Sequence, residues 1–233
     1  MTDPRTLLIT GASTGIGAAT AKAAVAAGWQ VVLSARSEDK LRALADQLGA
    51  EQTLVVRCDV TDWDDQQRLV AQALERFGGI DAAFANAGFG AKRGFLEEDP
   101  EFWRSMILTN VLGPALTIRA VLPHFLDQDG GHFLITSSVA GRRVLPGSLY
   151  SATKHAVTAI GEALRAELRQ MRQNSSIRVT LIEPGSVDTP FFDTPPEGAL
   201  EDSDIAEAVL YALNQPPRVD VSEMLIRPVV QPG

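Results

Sequence analysis

The chain has 233 residues, of which 45% are hydrophobic, and it carries a formal net charge of −8. This length and composition are typical of a globular protein with a substantial core, and they argue against the disordered and fibrous classes. An acidic surface repels a phosphate backbone, so nucleic acid is not an expected partner. The single cysteine, Cys58, excludes an internal disulfide and fits a reducing cytoplasm.

Export and membrane insertion are not expected from this sequence. Residues 1–10 lack the basic leader and the cleavage site of a secretory signal, and no apolar run approaches the length that spans a bilayer. The three histidines have no ligand spacing with carboxylates or with Cys58, so no catalytic metal is expected. The sequence therefore predicts a cytoplasmic protein without a membrane partner.

Short aliphatic runs alternate along the chain with longer segments of helical period. The runs predicted as strands are Arg5–Thr10, Gln30–Ala35, Thr53–Asp59, Ala82–Asn86, His132–Ser137, Ile177–Ile182 and, more weakly, Met224–Arg227. The segments predicted as helices are Gly15–Ala27, Glu38–Leu48, Asp62–Phe77, Asp99–Phe125, Ser148–Arg172 and Ser203–Asn214. This alternation predicts parallel strands joined by right-handed crossovers, with helices on both faces of one α/β sheet.

No linker, repeat or low-complexity stretch divides the chain, so residues 1–233 are predicted to form a single domain. The one long irregular region, residues 183–202, is rich in proline and glycine. A long loop inside a compact domain is more often functional than idle. We therefore expect a substrate loop over about 183–202.

A glycine-rich turn follows the first predicted strand and precedes an alanine-rich helix. Glycines let the backbone approach a pyrophosphate, and the helix directs its free N–H groups and positive dipole end at it. The spacing departs from the common Gly-x-Gly-x-x-Gly pattern, but the flanking strand and helix supply the context that such a motif needs. The residues predicted to bind a cofactor here are Gly11, Ser13, Thr14, Gly15, Ile16 and Gly17.

The end of the second strand distinguishes the two nicotinamide dinucleotides. An acidic residue there would bond the ribose 2′-hydroxyl of NAD. This chain has Ser34-Ala35-Arg36 instead, and the planar guanidinium of Arg36 suits the 2′-phosphate of NADP. The alternative is that Arg36 is a solvated residue that opens a charged helix. The sequence favours NADP(H).

Two further polar groups follow the third and fourth strands, at the carboxyl edge where open parallel sheets bind ligands. Asp59 and Val60 are candidates for adenine contacts, although Asp59 would serve equally as the cap of the helix starting near Asp62. Asn86-Ala87-Gly88 is the second candidate, although Asn86 would serve equally to join adjacent strands.

Tyr150 and Lys154 lie four residues apart at the start of a long predicted helix, which stacks them on one face. A free tyrosine is protonated at neutral pH, but a neighbouring ammonium favours the phenolate and lowers the pKa. Tyr150 is thus a candidate general acid or base. Taken alone, Tyr-x-x-x-Lys on an amphipathic helix is more often structural.

Together these motifs resemble those of the short-chain dehydrogenase/reductase family in order and in spacing, over essentially the whole chain. The matching signals are Thr-Gly-x-x-x-Gly-x-Gly after the first strand, Asn86-Ala87-Gly88, Asn110, Ser138, Tyr150-x-x-x-Lys154 and Pro184-Gly185. The resemblance implies a Rossmann-type doubly wound sheet of seven mainly parallel strands, a nicotinamide cofactor and a homo-oligomer, either a dimer or a tetramer.

Carried over position by position, the resemblance implies roles for individual residues. Tyr150 resembles the catalytic acid/base, and Lys154 resembles the residue that binds the nicotinamide ribose and lowers the tyrosine pKa. Ser138 resembles the hydroxyl that orients the substrate oxygen, and Asn110 resembles the residue that holds a water of the proton relay. The segment expected beside the nicotinamide consists of Pro184, Gly185, Val187 and Thr189.

One departure from the family pattern leaves the serine assignment open. Ser138 precedes Tyr150 by 12 positions, where the family more often shows 13, so Ser137 is a competitor. Ser138 is favoured because Ser-Val-Ala-Gly then matches the motif in phase.

The expected substrate contacts are Ser138, Arg142, Tyr150 and Phe191. Further pocket candidates are Phe89, Lys92, Arg93, Phe95, Arg143, Leu145 and Phe192. The basic residues would hold a substrate carboxylate, as in NADP-dependent 3-hydroxy acid dehydrogenases, which the final third of the chain resembles. The alternative is that they are surface cations around an apolar pocket for a broad range of ketones and aldehydes.

The sequence thus predicts an NADP(H)-dependent oxidoreductase that transfers a hydride between the nicotinamide and a carbonyl or secondary alcohol. The alternative is a non-catalytic, NADP(H)-sensing protein on the same fold, because a fold does not determine a function. A sensor should have lost Tyr150 or Lys154, and this chain keeps both.

Overall fold

The computed structural model describes residues 4–171, 176–192 and 194–231. The strands are β1 (Thr6–Thr10), β2 (Gln30–Ala35), β3 (Thr53–Arg57), β4 (Ala82–Ala85), β5 (Gly131–Thr136), β6 (Ile177–Pro184), β7 (Val187–Asp188), β8 (Leu200–Glu201) and β9 (Glu223–Ile226). The helices are α1 (Gly15–Ala26), α2 (Glu38–Leu48), α3 (Trp63–Phe77), α4 (Pro100–Ile107), α5 (Gly113–Asp127), α6 (Leu149–Met171) and α7 (Asp202–Leu213).

Seven strands form one sheet in the order β3-β2-β1-β4-β5-β6-β9, and every pair in it is parallel. Successive strand residues point to opposite faces. Leu7 and Ile9 of β1 accordingly join the core beneath α1, α2 and α7, whereas Leu8 joins the core beneath α3, α5 and α6. Burial of one such leucine contributes about 1.5–3 kcal/mol. The predicted single Rossmann-type α/β domain is confirmed.

The strand order changes direction between β1 and β4, because β2 and β3 lie on one side of β1 while β4 to β9 extend on the other. Loops leaving the carboxyl ends of β1 and β4 therefore diverge to opposite sides. Such a divergence opens a crevice for ligands in doubly wound sheets.

The predicted strand ends differ from the observed ends by at most two residues. The largest error among the helices concerns the predicted single helix Asp99–Phe125. It consists instead of α4, a π-helical turn at Leu108–Leu112, and α5. Apolar periodicity does not detect a π-turn, because one such turn adds only one residue to a helical repeat. Arg172, the predicted end of the helix here called α6, lies outside the described residues.

The region predicted to be irregular, residues 183–202, contains more structure than expected. Strand β6 continues through Pro184, because Glu183 and Pro184 pair with Leu225 and Ile226 of β9. The two-residue strands β7 and β8 then pair in parallel within the loop. Strands this short carry no periodic sequence signal, so only the tertiary pairing reveals them.

One segment is long and apolar enough to cross a membrane by length and composition. It is Pro100–Asp127, with 28 residues and a mean hydropathy of 1.4 over its most apolar window. The expectation that no apolar run approaches this length is therefore wrong. The segment is interrupted by the π-helical turn and places Met106, Val121 and Phe125 in the protein core. A core helix passes the same length and composition test, and its packing explains its apolar character.

Candidate active site

A cavity of about 490 Å³ lies at the carboxyl ends of the strands, where the predicted site residues converge. The predicted residues that line it are Gly11, Ser13, Thr14, Gly15, Ile16, Arg36, Asp59, Val60, Asn86, Ala87, Gly88, Ser138, Tyr150, Lys154, Pro184, Gly185, Val187, Thr189 and Phe191. Gly17, Asn110 and Arg142 do not line the cavity wall. Residues predicted from separate segments of the chain thus surround one cavity.

The turn after β1 presents the start of α1 to this cavity. Helix α1 begins at Gly15, its N-cap Thr14 makes no side-chain capping bond, and no acidic residue occupies its first turn. The N–H groups and the positive dipole end at this terminus therefore face the cavity uncompensated by a side chain. A Cβ at Gly17 would overlap the carbonyl oxygen of Gly11, so glycine is required there for the turn to close.

Arg36 follows β2 and lies exposed at the cavity edge. Within residues 4–171, 176–192 and 194–231, its guanidinium forms no ion pair. The neighbouring Ser37 is the N-cap of α2 but makes no side-chain capping bond. The cation is thus available to a ligand at this end of the cavity.

Asp59 and Asn86, for which the sequence leaves two interpretations each, form specific hydrogen bonds in the structure. Asp59 Oδ1 accepts hydrogen bonds from the backbone N (3.0 Å) and the hydroxyl (2.8 Å) of Thr61, whereas α3 is capped by Asp62. The interpretation of Asp59 as a helix cap is therefore wrong. Asn86 Nδ2 donates to the carbonyls of Thr10 and Gly11 at 3.3 Å each. Asn86 thus joins adjacent strand ends beneath the glycine turn.

Tyr150 and Lys154 share one face of the first turns of α6, as their spacing predicts. The Lys154 Nζ lies 5.6 Å from the centroid of the Tyr150 ring. The ammonium is buried and donates to the carbonyl of Thr136 at 2.7 Å, which ties α6 to the end of β5. The pair therefore lines the cavity beside the end of β5, whereas Arg36 lines it after β2, three strands away in the sheet.

Burial dominates the pKa values of this pair. Burial raises the pKa of Tyr150 to about 12, against a smaller lowering by its hydrogen bond with the Ser138 hydroxyl. Burial also lowers the pKa of Lys154 to about 8. Desolvation of the phenolate thus outweighs the hydrogen bond from Ser138. The direction of this shift favours the protonated phenol. The acidic phenol expected beside Lys154 and an oxidised nicotinamide stays a prediction.

The two candidate serines have different surroundings. Ser138 Oγ lies beside Tyr150 and donates to the carbonyl of Pro184 at 3.3 Å. Ser137 Oγ instead donates to the backbone carbonyl of Lys154 (3.2 Å) and pairs with Thr158 Oγ1 (2.8 Å). The hydroxyl of Ser137 is therefore used to anchor α6, and the geometry favours Ser138 as the hydroxyl that faces a ligand.

Asn110 lies on the π-helical turn and is buried. Its amide pairs with both backbone groups of Phe89, accepting from the N–H at 3.0 Å and donating to the carbonyl at 2.8 Å. A second donor bond of 3.2 Å reaches Thr153 Oγ1 on α6. These contacts hold the loop after β4 against the helix of Tyr150 and Lys154. The role in a water relay stays a prediction.

Arg142 lies behind the cavity wall. Its Nε is 2.8 and 2.9 Å from the two carboxylate oxygens of Glu183, and its Nη2 contacts Glu223. The Glu183 carboxylate is almost completely buried, and this burial raises its pKa. Because its Nε and Nη2 are bonded to two glutamates and it does not line the cavity, Arg142 is not placed to bind a substrate carboxylate. The predicted substrate contact of Arg142 is therefore corrected.

Gln231 lines the cavity from the far end of the chain and is absent from the residues predicted for the site. The packing of Phe191 was not predicted either: its ring meets that of Tyr150 edge to face, with the centroids 5.5 Å apart. A Cβ at Gly90 would overlap the Phe191 ring, so this ring also lies against the loop after β4. No local motif in the sequence identifies Gln231 as a site residue. Its place in the site follows from the pairing of β9 with β6, which brings the chain after β9 to the cavity.

Comparisons with known proteins identify the family of this chain. The family model described as short chain dehydrogenase matches residues 5–198. An uncharacterised oxidoreductase of Staphylococcus saprophyticus is 41% identical over 229 residues, covering 95% of this chain and 96% of the relative.

Two solved structures are similar over most of their length. An alcohol dehydrogenase of Thermococcus sibiricus in complex with 5-hydroxy-NADP has a TM-score of 0.90 and 34% identity, covering 99% of each chain. A short-chain dehydrogenase/reductase of Burkholderia phymatum in complex with NAD has a TM-score of 0.87 and 28% identity, covering 96% of this chain and 89% of that one. The matched family model, the relatives and the shared fold together show that this chain belongs to the short-chain dehydrogenase/reductase family of oxidoreductases.

Proposed function

We propose that the protein is an NADP(H)-dependent oxidoreductase that interconverts a ketone or aldehyde and the corresponding alcohol. The observation that carries this proposal is that one cavity joins the free N-terminus of α1 and the cation of Arg36 at one end to Tyr150, Ser138 and Lys154 at the other. The first end suits the phosphates of a dinucleotide, and the second end suits proton transfer.

The residues present fit a nicotinamide dinucleotide. The turn of Gly11 to Gly17 would hold the pyrophosphate, Asp59 and Val60 would border the adenine, and Lys154 would hold the nicotinamide ribose. The segment beside the nicotinamide would consist of Pro184, Gly185, Val187 and Thr189. When bound, the nicotinamide supplies or accepts the hydride, and the protein supplies position and charge.

In the reduction, Tyr150 would donate its phenolic proton to the carbonyl oxygen as the carbonyl carbon receives a hydride. A pKa of about 12 keeps Tyr150 protonated at neutral pH and therefore ready to act as the acid. Ser138 would orient the same oxygen by a hydrogen bond. Lys154, which is charged below its pKa of about 8, would stabilise the phenolate that remains.

The preference for NADP(H) rests on Arg36. Arg36→Asp should raise the Kd of NADPH by about 10- to 100-fold, because charge-assisted bonds of about 1.5–3 kcal/mol are lost and a repelling carboxylate is gained. The Kd of NADH should change little, so the preference moves toward NAD. Fluorescence titration of both reduced dinucleotides measures this ratio. An unchanged ratio would mean that another group holds the 2′-phosphate.

The serine assignment leads to a paired test. Ser138→Ala should lower kcat by about 10- to 100-fold, because a hydrogen bond to the developing oxyanion is lost. Ser137 also lines the cavity, but its hydroxyl is bonded to Lys154 and Thr158 of α6. Ser137→Ala should therefore lower the unfolding midpoint more than it lowers kcat. Steady-state kinetics and thermal unfolding of the two variants provide the comparison. The opposite ranking in kcat would assign the role to Ser137.

The walls near Tyr150 favour apolar carbonyl substrates over hydroxy acids. Phe191, Phe192 and Leu145 line this end of the cavity, and Arg142 is bound to two glutamates. Among the described residues that line the cavity, the cationic ones are Arg36, Lys154 and Arg93. We therefore propose ketones and aldehydes with aliphatic or aromatic substituents as the substrate class.

The direct test follows the loss of NADPH absorbance over a panel of ketones and aldehydes. Turnover of apolar members would support the proposal. Tight binding of NADPH with no turnover across the panel would contradict it and favour a non-catalytic, NADP(H)-sensing protein.

A homo-oligomer remains part of the proposal. Ile107, Leu108 and Leu112 are partly exposed on the α4–α5 segment, and an apolar strip of this kind favours self-association. We further propose a cytoplasmic location, which the lone buried cysteine supports.

A further inference from the structure

The chain that follows β9 turns back and packs against the substrate loop, residues 183–202. Gly185 donates its backbone N–H to the carbonyl of Ile226 at 2.7 Å, which continues the pairing of β6 and β9 by one residue. A turn then forms from Pro228 to Gln231, closed by the Gln231 N–H donating to the Pro228 carbonyl at 3.1 Å. This turn, residues 228–231, is called the tail turn below.

The side chain of Gln231 reaches the first residues of the substrate loop. Its Oε1 accepts a hydrogen bond from the backbone N–H of Ser186 at 3.1 Å. Because a backbone N–H can only donate, the atom that faces it must be the carbonyl oxygen of the amide, and the NH₂ group is left for other partners. A Cβ at Gly185 would overlap this same oxygen, so the glycine is required by the approach of the tail turn.

The tail turn also touches the other end of the loop. A Cβ at Gly198 would lie 2.8 Å from Val230 Cγ2, so Val230 packs directly on the backbone there. Gly198 has a φ of +69°, a left-handed conformation that favours glycine. The tail turn therefore contacts the loop both at Gly185–Ser186 and at Gly198.

The position of this contact relates it to the cofactor site. Gly185, Ser186, Val187 and Gln231 all line the cavity. Ser186 directly precedes Val187, which begins the short strand β7. Movement of the Ser186 N–H would therefore displace the backbone that we propose to lie beside the nicotinamide.

We propose that Gln231 is a positioning residue for the nicotinamide end of the cofactor site, acting through its hydrogen bond to the Ser186 backbone. The inference rests on the proposed function, because it presumes that Gly185 and Val187 border the nicotinamide. Among the described residues, the hydrogen bonds of Gln231 reach Ser186 and Pro228, whereas Arg36 and Asp59, which we propose to border the adenosine half, follow β2 and β3. The effect of Gln231 is thus confined to one half of the dinucleotide.

The test compares a whole cofactor with a fragment of it. Gln231→Ala should raise the Kd of NADP⁺ by about 3- to 10-fold, which corresponds to the loss of one hydrogen bond of about 1 kcal/mol. The Kd of adenosine 2′,5′-bisphosphate, which lacks the nicotinamide, should stay within about twofold of wild type. Isothermal titration calorimetry on the full chain measures both values.

Two further variants separate positioning from general damage. Gln231→Glu retains an acceptor oxygen for the Ser186 N–H, so it should restore most of the NADP⁺ affinity. Val229→Ala changes a fully exposed side chain of the same turn and should leave both affinities unchanged. A parallel loss for NADP⁺ and the fragment in Gln231→Ala would indicate a structural role and overturn the proposal.

The outcomes also distinguish this inference from the proposed function. If wild type binds NADP⁺ and Gln231→Ala binds it equally well, the positioning role alone is refuted. If Gln231→Glu loses as much affinity as Gln231→Ala, the acceptor bond is not what matters and the proposal again fails. If wild type binds neither NADP⁺ nor the fragment, the proposed function fails and takes this inference with it.

Discussion

Tyr150→Phe is expected to lower kcat by about 10²- to 10⁴-fold, the contribution typical of a general acid or base. The variant removes only the phenolic hydroxyl, so the ring still packs against Phe191 and the cavity keeps its shape. The Kd of NADPH should therefore stay near the wild-type value. Steady-state turnover of an accepted ketone, together with fluorescence titration of NADPH, measures the two quantities.

The second tyrosine of the chain provides a matched control. Tyr211 lies on α7 with 57% of its surface exposed and does not line the cavity. Tyr211→Phe makes the same chemical change and should retain wild-type turnover. Retained turnover in Tyr150→Phe would remove this residue from the proton-transfer role, whereas a large loss of NADPH affinity would mean that its hydroxyl serves binding.

Arg142→Met is expected to lower the free energy of unfolding at neutral pH by about 3 kcal/mol, which is the lower end of the cost of breaking a buried ion pair. The lower end applies because the side chain of Arg142 is 37% exposed, while that of its partner Glu183 is 1% exposed. For a domain of this size the loss corresponds to a decrease in Tm of about 6–12 °C. Thermal unfolding followed by circular dichroism measures it.

The physical reason is the carboxylate that remains. Glu183 lies on β6 beside β9, and Arg142 bonds it together with Glu223, so the arginine links the turn after Ser138 to two strands. Arg142 is the cation that pairs with Glu183 in the described part of the chain, so its removal leaves a buried charge without this ion pair. Charged groups in that situation are strongly disfavoured.

The pH dependence of the deficit gives a sharper signature. Burial already holds the pKa of Glu183 above its ordinary value, and removal of Arg142 should raise this pKa further. A protein whose carboxyl has a raised folded-state pKa binds more protons when folded than when unfolded. Its free energy of unfolding therefore falls as the pH rises above the unfolded-state pKa of that carboxyl. The deficit of Arg142→Met relative to wild type should thus be small near pH 4.5 and complete at neutral pH.

Two comparisons make this prediction specific. Arg143→Met changes the adjacent, exposed arginine and should cost less than about 0.5 kcal/mol. Arg142→Met combined with Glu183→Gln removes both charges and should recover much of the loss, because the buried charge is gone. If Arg142→Met is as stable as wild type, or if the double variant is no more stable than the single one, the ion pair between Arg142 and Glu183 does not stabilise the fold as described.

Local chemistry accounts for what could be predicted well. A helix brings residues four apart to one face, so the spacing of Tyr150 and Lys154 correctly predicts that their side chains lie together. The glycine-rich turn lies between a strand and a helix whose periods differ, which locates it at the carboxyl edge of the sheet. The strands of the large sheet are predictable because most of them are short, buried aliphatic runs.

The sequence by itself therefore determined the fold class and the placement of Tyr150 beside Lys154, since these depend on short-range periodicity and spacing. Only the tertiary structure decided the pKa of Tyr150, because burial depends on all the chain that surrounds the phenol. It likewise decided the pairing of Arg142 with Glu183, 41 residues away along the chain, and of Gln231 with Ser186, 45 residues away. Contacts at such separations follow from the pairing of β6 with β5 and β9, and no local pattern encodes them.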